Sequence, residues 1–173
     1  MNKTIILYRS KTGFTQKYAE WAAKELACAI APWGRGAMKG YDTVVFGTRA
    51  HAGRAEGLRQ ALSAFERSGA KRLALFVTGA MPNTAQETLE QFWAQNLTAE
   101  QREAIPHFYM QAGLCYERMG PLDRLLMKGL KKYLARKACK TPEEAQMEKA
   151  IRRSYDMTDP AFLGPMLELL RKG

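Results

Sequence analysis

Cysteine and histidine are scarce in this chain of 173 residues, which has three cysteines and two histidines. The cysteines, Cys28, Cys115 and Cys139, are odd in number and widely separated, and no C-x-x-C motif is present. This pattern is typical of reduced thiols in a cytosol and argues against a disulfide framework. With only His51 and His107 available, the sequence also argues against a metal cluster.

Long apolar runs are missing as well, since no stretch approaches the roughly 20 residues needed to span a bilayer. The chain enters an apolar segment almost at once, so we expect no secretory signal. Apolar residues still make up 46% of the chain, which excludes a disordered protein. The sequence therefore predicts one cytoplasmic domain, residues 1–173, with a substantial core.

Acidic residues are few relative to basic ones, with 17 Asp and Glu against 27 Lys and Arg, a formal net charge of +10. The excess is concentrated between Cys115 and Lys140, where eight Lys and Arg accompany only Glu117 and Asp123. Such a surface indicates an anionic partner: acidic lipid, an acidic protein or nucleic acid. Nucleic acid is the least favoured, because basic and aromatic residues are not interleaved as on base-stacking surfaces.

Apolar segments alternate with amphipathic ones along the first two thirds of the chain. The predicted strands are Thr4–Tyr8, Cys28–Pro32, Thr43–Gly47, Arg72–Thr78 and His107–Ala112. The helices predicted between them are Thr15–Leu26, Glu56–Ser68 and Ala85–Leu97. This order predicts an α/β fold with a parallel sheet and right-handed crossovers. Ligands of such sheets bind beyond the carboxyl ends of the strands, which selects the loops Ser10–Thr15, Thr48–Arg54 and Thr78–Thr84.

The first of these loops has the composition of a phosphate site. Its sequence, S-K-T-G-F-T, supplies hydroxyl groups and a glycine immediately before a helix. It lacks the lysine of a P-loop and the repeated glycines of a dinucleotide fingerprint. The pattern S-x-T-G-x-T resembles the loop that holds the FMN phosphate in flavodoxins. The alternative is an ordinary strand–turn–helix junction with a Ser or Thr N-cap.

The other two loops, T-R-A-H-A-G-R and T-G-A-M-P-N-T, are rich in small and polar residues. A flavin ring needs apolar walls and a few donors, and a cation near its pyrimidine edge would stabilise the reduced anion. Arg49 and His51 are candidates for charge or stacking, whereas Arg54 is more simply a solvated side chain. Neither loop contains Trp or Tyr, so further stacking would come from Phe14 or Tyr116.

A basic amphipathic helix is predicted at residues 121–136, beginning at Pro121. One face carries apolar residues: Leu122, Leu125, Leu126, Leu130, Tyr133 and Leu134. The opposite face is basic, with Arg124, Lys128, Lys131, Lys132 and Arg136. Such a helix can lie on an anionic membrane, or it can pack its apolar stripe on its own domain. Helices are also predicted at Pro142–Arg153 and Phe162–Leu170.

Three regions of the sequence together resemble the flavodoxin-type, quinone-dependent protoporphyrinogen oxidases. They are S-K-T-G-F-T, G-T-R-A-H-A-G and A-G-L-C-Y-E-R-M-G-P-L-D-R-L-L-M-K. The resemblance implies a flavodoxin-like three-layer sandwich with a five-stranded parallel sheet in the order 2-1-3-4-5. It also implies a basic helical insertion at about 115–155, after the last strand, within the single domain.

The resemblance further implies FMN as the cofactor. It assigns the phosphate to Ser10, Lys11, Thr12, Gly13, Phe14 and Thr15. It places the ring among Thr48, Arg49, Ala50, His51, Thr78, Gly79 and Ala80. No metal and no residue for covalent chemistry is implied, because catalysis centres on the flavin.

The implied activity is oxidation of protoporphyrinogen in heme biosynthesis, with a quinone as acceptor at the inner face of the cell membrane. The chain departs from that family in its short third loop and in the additional helix after Pro142. A soluble electron-transfer protein that docks on a protein redox partner is the alternative.

Overall fold

A computed structural model describes residues 3–172 of the chain, apart from the side chain of Glu143. The chain divides into two compact units. The first comprises the residues up to Ala112 and those from Thr158 onward, and the second runs from Gly113 to Met157. The assignment of the whole chain to one domain stays a prediction.

The first unit contains alternating strands and helices. Its strands are β1 (Thr4–Tyr8), β2 (Ala29–Pro32), β3 (Thr43–His51), β4 (Arg54–Ala55), β5 (Arg72–Gly79) and β6 (His107–Gln111). Its helices are α1 (Phe14–Leu26), α2 (Leu58–Glu66), α3 (Gln86–Asn96) and α4 (Ala99–Ala104), with a C-terminal helix at Gly164–Arg171 that follows a 3₁₀ turn at Pro160–Leu163.

The five long strands form a parallel sheet in the order β2-β1-β3-β5-β6. This is the predicted order 2-1-3-4-5, so the flavodoxin-like α/β fold is confirmed. The short β4 is an addition to that plan, pairing antiparallel with the end of β3.

Alternate residues of the strands enter two separate cores, as the two-residue period of a strand requires. On one face Leu7, Phe46 and Leu75 pack with residues of α2 and α3. On the other, Ile6 and Phe76 pack with α1 and the C-terminal helix. Because the central strands are covered on both faces, they read as continuous apolar runs in the sequence.

The local sequence explains most differences from the predicted elements. Strand β3 runs on to His51 and turns back through Ala52 and Gly53, whose positive φ angles of 48° and 76° form a tight hairpin turn. Helix α4 was not predicted, although its N-cap Thr98 and Gln101 form a capping box. The C-terminal helix begins at Gly164 rather than Phe162, with Pro165 in its first turn.

The second unit is built around a two-stranded antiparallel ribbon of β7 (Gly113–Leu114) and β8 (Tyr155–Asp156). Between them lie a 3₁₀ turn at Tyr116–Arg118 and two helices, α5 (Pro121–Arg136) and α6 (Pro142–Ala150). Helix α6 therefore ends before the predicted Arg153.

Tyr116 contacts several other residues of the second unit. Its hydroxyl donates to the carbonyl of Ile151 at 2.5 Å, and its carbonyl accepts from Arg124 Nε at 3.0 Å. The ammonium of Lys131 lies 4.1 Å from the centre of the Tyr116 ring, which is a cation–π contact. Tyr116, a sequence candidate for flavin stacking, thus has its ring engaged within its own unit.

The predicted apolar stripe of helix α5 is only partly covered. Leu134 is buried and Leu130 is partly buried. Leu122 and Leu125 are each 65% exposed, and Leu126 and Tyr133 are 50% and 59% exposed. At 100° per residue these four occupy one flank of the stripe and Leu130 and Leu134 the other, so the predicted apolar set divides between interior and solvent.

Candidate functional site

The carboxyl ends of β1, β3 and β5 lie side by side in the sheet. Tyr8 of β1 is in register with Gly47 of β3, and Arg49 of β3 is in register with Thr78 of β5. Of the three loops selected from the sequence, the first follows β1, whereas the second and third include the last residues of β3 and β5. The sheet therefore brings residues from distant parts of the chain to one edge, which is where open α/β sheets bind ligands.

The first loop leads directly into the N-terminus of α1. Gly13 is the N-cap residue, with a φ of 96° that favours glycine, and no side chain caps the helix. The hydroxyl oxygen of Ser10 accepts a hydrogen bond from the Gly13 N–H at 3.1 Å. No acidic residue lies in the first turn, so the positive end of the helix dipole is not neutralised there.

The residues of this loop differ in exposure. Lys11 is exposed, and Ser10, Thr12 and Phe14 are partly buried. Thr15 is only 2% exposed, and its hydroxyl lies 2.7 Å from that of Thr78, also 2% exposed. The hydroxyl of Thr15 is therefore directed to the end of β5, and it links the first loop to the third.

The second loop is ordered by Glu56, which follows β4. The Thr48 hydroxyl, on a residue that is 1% exposed, donates to the Glu56 carbonyl at 2.6 Å. Arg49 Nε donates to the Glu56 carboxylate at 2.5 Å, and Arg9 Nη2 lies 3.3 Å from the other carboxylate oxygen. Glu56 thus joins the second loop to the residue that follows β1.

The ionisation of Glu56 follows from these contacts. Burial alone would raise the pKa of its carboxyl group. The hydrogen bond and charge of Arg49, with the charges of Arg9 and Lys11, outweigh burial and lower that pKa. Glu56 is therefore an anion at neutral pH, and it compensates part of the cationic charge of the first two loops.

The remaining ring candidates lie on the hairpin and the third loop. Ala50 and His51 pair with Ala55 and Arg54 in the hairpin. A Cβ atom added to Gly79 would lie 3.3 Å from Ala50 Cβ and would overlap the Tyr109 hydroxyl. Gly79 is therefore required for the close approach of these segments, and the next residue, Ala80, is exposed.

Tyr109 positions the third loop and was not found from the sequence. Its side chain is 8% exposed, and its hydroxyl accepts from the Met81 N–H at 3.0 Å. Glu56 was missed too, although it is the first acid after the basic segment R-A-H-A-G-R. That isolated acid was the available signal, whereas Tyr109 reads as an ordinary strand residue.

Three further observations concern other parts of the described structure. A cavity of about 300 Å³ lies at the opposite edge of the sheet, near Thr43 and Arg72 at the amino ends of β3 and β5. Among residues 3–172, with the Glu143 side chain left aside, no three His, Cys, Asp or Glu side chains form a group that could hold a metal ion. Within that same range no helix is long and apolar enough to cross a membrane.

Three solved structures illustrate what the chain is similar to. A WrbA-like flavodoxin from Agrobacterium tumefaciens is 18% identical, with 63% of this chain and 83% of that one covered and a TM-score of 0.42. A flavoprotein in complex with FMN from Lactobacillus acidophilus is also 18% identical, with 64% and 93% covered and a TM-score of 0.44. Rubredoxin oxygen:oxidoreductase from Desulfovibrio gigas is 12% identical, with 100% and 38% covered and a TM-score of 0.43.

Comparison with curated protein sequences gave no match. Residues 5–141 match the family described as "Flavodoxin domain", a stretch that runs from β1 through α5. The chain belongs to the flavodoxin domain family, whose cofactor is FMN.

Proposed function

We propose that the protein is an FMN-dependent oxidoreductase that binds its cofactor with the three loops at the carboxyl edge of the sheet. The uncapped N-terminus of α1, preceded by Ser10, Thr12 and Gly13, is the observation that carries the proposal. A dianionic phosphate there would accept hydrogen bonds from the first-turn N–H groups and from the loop hydroxyls.

The residues present fit the phosphate of FMN. Ser10 Oγ accepts from the Gly13 N–H, which leaves its own hydrogen able to point at an anion. The absence of an acid from the first turn of α1 removes a source of repulsion. Lys11, exposed beside these groups, adds a cation.

The second and third loops fit a flat ring through their small residues. Ala50, Gly79 and Ala80 leave little side-chain bulk where the loops approach each other. Arg49 has a fixed place because Glu56 binds it, and His51 lies on the adjoining hairpin. Bound FMN would supply two-electron transfer, while the protein supplies binding, orientation and charge.

The colour of the purified protein tests this proposal directly. We expect a yellow protein that releases FMN on heating, and apoprotein that quenches FMN fluorescence on titration. Colourless protein that takes up neither FMN nor riboflavin would contradict it.

The exposed side of α5 supports the proposal that the protein passes its electrons to an acceptor in an anionic membrane. Leu122, Leu125 and Leu126 face solvent. Lys128 and Lys132 are exposed on the adjacent side of the helix. Apolar side chains bordered by cations match an acidic lipid surface. Each basic residue near such a surface contributes about 1 kcal/mol to the free energy of membrane binding. A membrane location favours a lipid-soluble quinone as the acceptor.

Vesicles with and without acidic lipid test this location. We expect binding to acidic vesicles only, and a loss of at least about thirtyfold for Lys128→Glu with Lys132→Glu. Lys131 is left unchanged because it contacts the Tyr116 ring. The matched control is Lys24→Glu with Lys39→Glu, two exposed lysines of the first unit. Equal vesicle binding by both double variants would exclude this face of α5 as the membrane contact. Salt-sensitive reduction by a protein partner, without vesicle binding, would instead favour the soluble electron carrier.

The reductant is proposed from the sequence resemblance alone, as protoporphyrinogen or a similar carboxylate-bearing compound. The cationic surplus of the chain supports an anionic substrate. Purified protein with a menaquinone analogue should oxidise protoporphyrinogen faster than free FMN does. Equal rates would exclude protoporphyrinogen as the substrate, but they would not contradict the proposed FMN binding.

A further inference from the structure

Two asparagines, one in the third loop and one at the end of α3, bind backbone groups with the same pattern. Asn83, in the third loop, accepts from the Gln111 N–H at 2.7 Å and donates to the Tyr109 carbonyl at 3.2 Å. Asn96, the last residue of α3, accepts from the Ala55 N–H at 2.8 Å and donates to the Gly53 carbonyl at 2.9 Å. In both cases one carboxamide joins an N–H to the carbonyl two residues earlier.

This is the hydrogen-bond pattern that a parallel strand presents to its neighbour. A carboxamide has the donor and acceptor of a peptide group, so each asparagine replaces a missing strand residue. The bonds of Asn83 lie on the outer side of β6, which is one of the two edge strands of the sheet order β2-β1-β3-β5-β6. The bonds of Asn96 lie on β4 and the hairpin turn.

Both asparagines therefore act on backbone next to the ring candidates. Asn83 ties residues 79–84 to β6, and Tyr109 makes a second tie there through the Met81 N–H. Asn96 holds the hairpin that contains Ala50 and His51, and it also donates to the Phe92 carbonyl at 2.7 Å within α3. The hydrogen bonds of the two carboxamides thus go to β6, β4, the hairpin turn and α3.

We propose that Asn83 and Asn96 are positioning residues that fix the two ring-binding loops before the flavin arrives. The inference rests on the proposed FMN function. Loops that are already ordered lose less conformational entropy on binding, so the ring binds more tightly. Because the hydrogen bonds of both carboxamides go to segments other than the phosphate loop, we expect the phosphate contribution to affinity to be independent of them.

Riboflavin and FMN separate the two contributions, since riboflavin lacks the phosphate. We would measure both dissociation constants for Asn83→Leu and Asn96→Leu by fluorescence quenching. Gln91→Leu, which removes an exposed carboxamide from α3, is the matched control. Each asparagine variant should lose about tenfold for both ligands, with the ratio of the two constants unchanged.

Hydrogen exchange locates the effect. The amide of Gln111 should exchange faster in Asn83→Leu and that of Ala55 in Asn96→Leu, while amides of β1 keep their protection. Should a leucine variant fail to fold, the isosteric Asn→Asp variant keeps the acceptor and loses the donor, and a smaller loss in the same direction is expected.

Unchanged riboflavin affinity in the asparagine variants would overturn the inference, as would a loss confined to FMN. Those results leave the proposed function standing if the unaltered protein binds FMN. Failure of the unaltered protein to bind either flavin would instead defeat the proposed function, and this inference with it.

Discussion

Thr15 and Thr78 share a hydrogen bond of 2.7 Å between their hydroxyl oxygens, although 63 residues separate them in the sequence. Both side chains are only 2% exposed, so neither hydroxyl has ready access to water. The bond ties the start of α1 to the end of β5. Through this bond, Thr15 also anchors the C-terminal end of the proposed phosphate loop to β5.

Replacing Thr78 by valine tests this support. Thr78→Val keeps the shape of the side chain but leaves the Thr15 hydroxyl buried without its partner, which costs about 1–3 kcal/mol. Urea unfolding of the apoprotein should show that loss. The double variant Thr15→Val with Thr78→Val should lose less unfolding free energy than the sum of the losses in the two single variants. Strict additivity of the losses would contradict the pairing.

Thr12→Ala should weaken FMN binding by about tenfold to a hundredfold, because a hydrogen bond to a charged phosphate is removed. Riboflavin binding should not change. Parallel titrations measure both, and Thr88→Ala, on an exposed position of α3, is the control. An equal loss for the two flavins would show that Thr12 does not act on the phosphate.

The Glu56 carboxylate should make stability depend on pH. Its pKa in the folded protein lies below that in the unfolded chain, about 4.3. Its stabilising contribution is therefore complete above the unfolded value and disappears as pH falls through the lower folded value. Urea midpoints measured from pH 3 to 7 should rise less in Glu56→Gln than in the unaltered protein.

Glu66→Gln, at an exposed position of α2, is the control for that series. The prediction fails if Glu56→Gln and Glu66→Gln have the same pH dependence as the unaltered protein.

Two glycines should respond in opposite ways to alanine. In Gly47→Ala the new methyl would overlap the ring of Phe76, so we expect a destabilisation of about 1–3 kcal/mol. Gly129, within α5, has open space around it, and Gly129→Ala should stabilise that helix by about 0.5–1 kcal/mol. Thermal and urea unfolding measure both, and a stabilised Gly47→Ala would refute the packing.

The fold was largely predictable because its signals are local. Strands β1, β3 and β5 are apolar runs, and a strand of this kind followed by the S-x-T-G-x-T loop indicates the flavodoxin arrangement. The hairpin was not predictable, since A-H-A-G-R-A has no β-branched residue and its turn uses Ala52 at positive φ. Two-residue strands such as β7 leave no periodic pattern at all.

The site was predictable as a set of loops but not as a set of contacts. Parallel strands place their carboxyl ends together, which selects the three loops from the sequence. The Glu56 ion pairs and the Thr15–Thr78 bond depend on the packing of distant segments. The outward position of Leu122 and Leu125 depends likewise on which side of α5 the remainder of its unit covers.

The carboxamide of Asn83 occupies the outer hydrogen-bonding groups of β6 between Tyr109 and Gln111. An uncovered edge strand is a template on which a second chain can add its own strand and start aggregation. A neighbouring molecule would have to displace this side chain before its backbone could pair there. We therefore expect the same carboxamide to hinder the pairing of a second molecule's strand with this edge of the sheet.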